Sequence, residues 1–294
     1  MTKTRLISVL TPAYNAGKYL AELLDSVAGQ DFERYEHLVI DDGSTDNTKE
    51  ILASRAVANP RLRWYSRPNK GQYETQNELL RLAQGEIVCI VCADDMYASP
   101  GVLSLVANQF GQVPDLDVLF GRTPRYCPYI FDPDLPPWLA RPLMRHLLCV
   151  QHCSLFVRRE FLLKNNLYFD NSYRMRGDWD WMIRVFLAAD CIQSVSAPLA
   201  LWRYHPEQTS VLNIDAGQAE SRRVCAAYGS SFVLHRLLGL VAFVYSQTIH
   251  VATLVQVSGL KAVARKLARF LRLKITSPYE QWQGRNLRVT DRLR

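Results

Sequence analysis

Two phosphate-binding signatures are missing from this sequence of 294 residues. It has neither a GxGxxG fingerprint nor a GxxxxGK[ST] loop, so no glycine-rich cradle for a phosphate is expected. Its 14 glycines and 14 prolines are too few for a collagenous or low-complexity chain. The seven cysteines are odd in number and scattered, and Cys89-x-x-Cys92 has no second pair to complete a four-thiolate zinc site. That pair lies in the apolar run 87–92 and reads as buried free thiols. The N-terminus leads into only one strand's length of apolar residues, too short for a signal-peptide core, so the body is expected in the reducing cytoplasm. Basic charge is scarce where a nucleic-acid binder needs it. The net charge is +7, but residues 1–215 carry −3 and residues 216–294 carry +10. A whole-surface nucleic-acid binder is therefore excluded, and the basic tail is expected to meet anionic phospholipid head groups.

What is present reads as a globular α/β chain, 48% apolar and 21% charged. Apolar runs predict strands at 7–10, ending at Pro12, and at 37–40, 63–65, 86–91 and 118–120. Helical spacing predicts helices over 19–27, from a Ser44 or Thr45 cap towards Pro60, over 73–83 and over 100–110. This βαβαβαβ order is that of a doubly wound open sheet, which collects ligands beyond the carboxyl ends of its strands. Residues 123–150, rich in Pro and aromatics, are expected to form an irregular loop over the site. A strand at 154–157, a helix at 178–189 and a strand at 199–204 follow.

Three of the predicted strands end in polar or acidic turns: 11–15, Asp41-Asp42 and Asp94-Asp95. Paired carboxylates with no phosphate loop suit a diphosphate held through a hard divalent cation, Mg²⁺ or Mn²⁺. A further cluster, Gly177-Asp178-Trp179-Asp180-Trp181, opens a predicted helix. Asp178 and Asp180 diverge by roughly 200° on a helix, so one reaches a shared site while the other caps. Trp179 and Trp181 suit either sugar stacking or the core.

Taken in order, these segments resemble an inverting family 2 glycosyltransferase of GT-A fold. The resemblance covers about residues 5–210 and rests on 11–16 (TPAYNA), 39–46 (VIDDGSTD), Asn69-Lys70-Gly71 with Asn77, 83–86 (AQGE), Ala93-Asp94-Asp95 and 177–180 (GDWD). It implies an α/β fold, a doubly wound mixed sheet with flanking helices and a helical C-terminal appendage. It also implies that Pro12, Tyr14 and Asp42 hold the base and ribose of a donor nucleotide, with Lys70 near the same pocket. Asp94 would contact ribose or diphosphate, Asp95 and His205 the metal, and Asp178 would be the catalytic base. The implied donor is a nucleotide sugar, with uridine diphosphate the commonest carrier, and the acceptor a saccharide or a lipid-linked saccharide. Two positions depart from the pattern: relatives often carry Asp or Asn at Cys92 and Arg at Gln76. A catalytically silent sugar-nucleotide-binding scaffold of a membrane complex is the competing reading. Retention of Asp42, Asp94, Asp95 and Asp178 together disfavours it.

The catalytic domain is expected over 1–215 and a basic helical region over 216–294. Residues 237–260 contain no Lys, Arg, Asp or Glu, and as a helix would extend about 36 Å, although seven polar residues interrupt them. Residues 261–274 place Val263, Leu267, Phe270 and Leu271 on one face with basic residues around the rest, the pattern of a helix lying on anionic lipid. The expected location is cytoplasmic, peripheral on the inner face of the plasma membrane.

Overall fold

A computed structural model describes residues 6–124, 135–203, 205 and 207–241. Strands β1 (Ile7–Ala13), β2 (Tyr35–Asp41), β3 (Leu62–Ser66) and β4 (Ile87–Ile90) are separated by helices α1 (Leu20–Ala28), α2 (Thr48–Ala58) and α3 (Gln72–Leu82). Then follow β5 (Met96–Tyr97), α4 (Val102–Gln112), β6 (Val118–Arg122), α5 (Pro137–Leu143), β7 (Leu155–Arg158) and α6 (Arg159–Lys164). Helix α7 (Gly177–Ala188), β8 (Ile192–Pro198), β9 (Ala200–Leu201), α8 (Thr209–Leu212) and α9 (Ile214–Ala227) complete the body, and α10 (Phe232–Val241) follows.

Seven strands form one sheet in the order β3-β2-β1-β4-β7-β6-β8. All pairings are parallel except those of β7, which runs antiparallel to both β4 and β6. Side chains alternate across the sheet, so each strand feeds two apolar layers. Leu10, Leu38, Ile40, Val88 and Val157 join the layer under α3, α5, α6, α7 and α9. Ile7, Val9, Val39, Cys89 and Phe156 join the layer under α1, α2 and α4. The expected mixed sheet with helices on both faces is what the chain forms.

Four local expectations are corrected. Strand β1 does not stop at Pro12 but runs to Ala13. Leu10 O accepts a bond from Val91 and Ala13 O one from Asp42, so alternate residues face β4 and β2. Pro12 therefore faces the β4 side, beyond Leu10–Ile90 where that ladder ends, and its missing N–H costs nothing there. Ser44 and Thr45 do not cap α2; Asp46 Oδ1 instead accepts the Thr48 N–H at 3.1 Å. The expected loop over 123–150 contains α5, which starts on Pro137; residues 125–134 lie outside the described residues. The expected strand 199–204 shrinks to two residues, and β8 precedes it where no strand is expected.

His37, in β2, is 1% exposed, with Nε2 3.0 Å from Thr11 Oγ1 and no partner for Nδ1. Burial pushes its pKa down from 6.5 to about 3. The folded pKa lies below the unfolded one, so the full contribution is present above pH 6.5 and is lost as pH falls towards 3. At pH 5 this histidine alone is expected to cost about 2 kcal/mol relative to pH 7. Urea unfolding at the two pH values should show His37→Gln losing less stability than the parent; an equal loss would contradict the assignment.

Candidate active site

The first wall of the site is made where the β1 and β2 ends are laced together. Asn15 adopts φ 48° and presents its side chain to the 43–46 turn. Its Oδ1 accepts the Thr45 N–H at 2.9 Å, while its own N–H donates to Ser44 Oγ at 2.8 Å. Ala16 N donates to Thr48 Oγ1 and Gly17 N to Asp46 Oδ2. The Gly-Ser-Thr-Asp segment is thus a clamp on the β1–α1 loop, and Gly43, at φ 82°, turns the chain into it. Asp42 is 3% exposed and accepts the backbone N–H groups of Lys70 at 2.9 Å and Gly71 at 3.0 Å. It also pairs with Arg67, whose guanidinium donates to Glu78 at 2.9 Å and Thr75 at 2.9 Å. Burial opposes the Arg67 charge, but Asp42 and Glu78 outweigh it and raise its pKa. Lys70 contributes through its backbone; its ammonium is half exposed, 3.7 Å from Glu78.

The second wall is the end of β4. Asp94-Asp95 is followed at once by β5, which pairs antiparallel with β9, Met96 opposite Leu201 and Tyr97 opposite Ala200. This two-stranded sheet brings Arg203 and His205 back onto the acidic turn. Arg203 donates from its backbone to Asp95 Oδ1 at 3.2 Å, from Nε to the Asp94 carbonyl at 3.0 Å and from Nη2 to Glu22 at 2.6 Å. His205 packs against Tyr19 at a tilt of 47°, ring centroids 4.6 Å apart, and its Nε2 lies 3.1 Å from Asp94 Oδ2. Asp94, rather than Asp95, is therefore the carboxylate against His205. Asp95 is 1% exposed, and its Oδ2 is unpaired apart from the weak thiol donor of Cys153. Burial first, and then the Asp94 charge, push its pKa well up. The donor set of two carboxylates and an imidazole fits a divalent cation; Asp94 and His205 contact each other directly.

The third wall is the start of α7. Gly177 leaves room for Tyr73, whose ring would lie 2.7 Å from an added Cβ and whose hydroxyl accepts the Gly177 N–H at 2.9 Å. Asp178 is thereby turned into the cleft, its side chain 18% exposed. Its Oδ2 lies 3.8 Å from His152 Nδ1, and His152 Nε2 lies 3.2 Å from Cys92 Sγ. A proton on Nδ1 with the Cys92 thiol donating to Nε2 accounts for both contacts. Burial lowers the His152 pKa against the pull of Asp178 and Asp94, so the ring is neutral. Asp180 faces away, paired with Arg184 at 2.8 Å and accepting the Tyr228 hydroxyl at 2.7 Å. Trp179 and Trp181 are core residues rather than sugar platforms, buried with their indole N–H groups on Met144 O and Leu167 O.

Helix α9 fixes the approach to Asp178. Glu220 accepts the N–H groups of Arg174, Met175 and Arg176 at 2.8–2.9 Å, and Arg176 Nε donates to Ser221 at 3.1 Å. The boundary expected after residue 215 falls inside α9, which Val224 and Cys225 anchor in the core. Replacing Glu220 by Ala removes one charged acceptor from three donors. It is expected to cost about 2–3 kcal/mol of stability. Denaturant titration checks this; unchanged stability would show that water replaces the carboxylate.

All eight predicted residues, Pro12, Tyr14, Asp42, Lys70, Asp94, Asp95, Asp178 and His205, line one cleft of 1240 Å³. His152 lines it too and was not anticipated, nor were Arg67 and Glu220; Cys92, read only as a buried thiol and a departure from the family pattern, lines it as well. The polar 151–154 stretch before an apolar strand was the available signal for His152. Nothing in the sequence pairs Glu220 with a loop some 45 residues earlier.

The sheet order, its single reversed strand and the acids at its edge define a GT-A fold. Residues 8–159 match the family described as Glycosyl transferase family 2, and the chain belongs to that family. Glycosyltransferase GlyG of Streptococcus pneumoniae is 36% identical over 124 residues, 42% of this chain and 40% of that protein. TarS of Staphylococcus aureus, a poly(ribitol-phosphate) beta-N-acetylglucosaminyltransferase, is 30% identical over 196 residues, 64% of this chain and 34% of that one. The chain thus spans less than half the length of either relative. The structure of TarS 1–349 with UDP-GlcNAc superposes with a TM-score of 0.63 at 24% identity, covering 76% of this chain and 66% of that one. The mannosyltransferase PcManGT of Pyrobaculum calidifontis, solved with GDP-Man and Mn²⁺, gives 0.58 at 19% identity over 96% and 84%.

Proposed function

We propose that this chain transfers a sugar from a nucleoside diphosphate to an acceptor hydroxyl by direct displacement with inversion at the anomeric carbon. The observation that carries the reading is one cleft lined by Asp178, Asp94 and His205 together, where the His152 imidazole meets Asp178 on one side and Cys92, beyond the end of β4, on the other. Asp178 takes the proton of the acceptor hydroxyl as its oxygen attacks, a contribution of about 10²–10⁴ in rate. Pro12, Tyr14 and Asp42 bound the nucleotide end, with Lys70 on its rim. His205 and the Asp94-Asp95 pair would hold Mg²⁺ or Mn²⁺. When bound, such an ion neutralises charge on the departing diphosphate.

A uridine diphosphate sugar is the donor favoured by the UDP-GlcNAc-bound relative. We take the acceptor to be a saccharide, in cell-surface polysaccharide or glycolipid assembly. Lipid linkage is supported by the exposed apolar residues of α10 beside the cleft: Val233, Leu237, Leu240 and Val241 are 55–66% exposed, and Gly239 of the same helix lines the opening. Among the described residues no single helix is long and apolar enough to cross a membrane; α9 and α10 pass only together, bent by 113°. The segments 242–260 and 261–274 lie outside the described residues. With the +10 charge of the C-terminal part, α10 supports peripheral attachment to an anionic membrane on its cytoplasmic face.

A panel of nucleotide sugars, each with and without Mn²⁺ or Mg²⁺, tests the reading. Metal-stimulated release of the nucleoside diphosphate from a uridine donor is expected. Donor binding without hydrolysis or transfer would favour the silent scaffold instead. For the membrane, co-sedimentation with phosphatidylglycerol vesicles that salt reverses is expected, and none with phosphatidylcholine alone.

A further inference from the structure

Three donor atoms of unlike chemistry meet at the β4 end of the cleft. Among the described residues, the ligand atoms of Cys92, Asp95 and His152 all lie within 4.8 Å of one another. The topology explains the meeting. Strand β7 runs antiparallel to β4 with Cys89 opposite Phe156, so three residues further along β4 the chain faces the turn that carries His152. The Sγ–Nε2 separation is 3.2 Å. Around a tetrahedral Zn²⁺ with bonds of about 2.3 Å to sulfur and 2.0–2.1 Å to nitrogen it would be about 3.6 Å. That pair needs to open by only a few tenths of an ångström, and the Asp95 oxygen, within 4.8 Å of both, would draw in towards them.

Two further features point to a missing ligand. Asp95 is 1% exposed, yet its Oδ2 has no partner beyond the Cys153 thiol, and a buried carboxylate left so is costly. His152 Nδ1 also has no hydrogen-bond partner, and it points at Asp178 Oδ2 from 3.8 Å. A metal-bound histidine commonly offers its other N–H to a carboxylate in this way.

We propose that Cys92, Asp95 and His152 form a binding site for a thiophilic divalent cation of the Zn²⁺ or Co²⁺ class, with its fourth position open to the cleft. The Cys92 proton leaves to solvent on binding, and no oxidation state changes. One thiolate, one carboxylate and one neutral imidazole then balance the two positive charges, so the filled site is neutral and tolerates burial. The hard ions considered at Asp94 and His205 prefer oxygen and do not select a thiolate. Asp95 adjoins both sites, so the two occupancies are alternatives. The proposal stands apart from the sugar-transfer reading, because it concerns binding alone.

Chelator-treated protein of all 294 residues, titrated with Co²⁺, tests it. A thiolate-to-cobalt charge-transfer band and the visible bands of tetrahedral Co²⁺ are expected to saturate at one equivalent and to vanish on adding Zn²⁺. Cys92→Ser should abolish the charge-transfer band and weaken Zn²⁺ at least tenfold in competition with a chromophoric chelator. His152→Gln should weaken Zn²⁺ similarly, and Cys191→Ser should leave both readouts unchanged. Circular dichroism identifies the variants that fold. No band in the folded parent, or a band that survives in folded Cys92→Ser, overturns the proposal.

Discussion

Replacing Asp178 by Asn is expected to lower turnover by about 10²–10⁴ while leaving donor affinity within a few-fold of the parent. The carboxamide keeps an oxygen for the Trp179 N–H, which Asp178 Oδ1 accepts at 2.9 Å, so the start of α7 should be undisturbed. What it loses is the capacity to take a proton near neutral pH. The bonds of Asp42 run to Lys70, Gly71 and Arg67, while Asp178 faces His152, which is why binding at the proposed nucleotide end should survive. Single-turnover kinetics together with calorimetry of donor binding separate the two quantities. Unchanged turnover would remove Asp178 as the base, and a matching loss of donor affinity would move it to the donor pocket.

Asp42→Ala should have the largest effect on stability, about 3–5 kcal/mol, because it breaks a buried ion pair by removing one partner. Arg67 is only 10% exposed in its side chain and would be left with Glu78 as its one neutralising carboxylate within the network. The Lys70 N–H would lose its acceptor and the Gly71 N–H one of two, Asn69 Oδ1 remaining at 2.9 Å, so the loop at the proposed donor pocket should loosen and donor binding should fall with stability. Asp42→Asn, which retains an acceptor but no charge, should fall between the two. Urea midpoints at constant slope provide the measurement. A loss under 1 kcal/mol for the alanine variant would mean that the guanidinium reaches water and that the network is not closed.

Much of this architecture was legible because its signal is local. The apolar runs that became β1, β2 and β4 are parallel strands buried on both faces, which read as nearly continuous apolar stretches, and the antiparallel β7 is buried among them. The amphipathic spacing that became α1 and α3 is likewise local. The two-residue β5 and β9 were not legible, because each exists only through the other and carries too few residues for a period. Strand β8 is half exposed along most of its length, so its alternation is blurred. Helix α5 was hidden by Pro137 and Pro142, the first of which is welcome at a helix start.

The candidate site divides in the same way. Acids at strand ends could be found from the chain alone, since turn residues follow apolar runs in the sequence itself. Asp178 and Asp180 were separable in principle by helical angle, but which one faces the cleft depended on the Arg184 and Tyr228 partners of Asp180. Cys92 read as one more buried thiol of an apolar run, and only the antiparallel β7 put His152 beside it.

Which residue types stand at the ends of which strands follows from the chain alone, because strand, turn and cap preferences act over a few neighbouring residues. Tertiary structure decided which of those ends meet. His205 reaches Asp94 across 111 positions, and Glu220 reaches the loop before Asp178 across 44–46. Such meetings are fixed by strand order and by the closure of distant loops, which the one-dimensional pattern does not encode residue by residue.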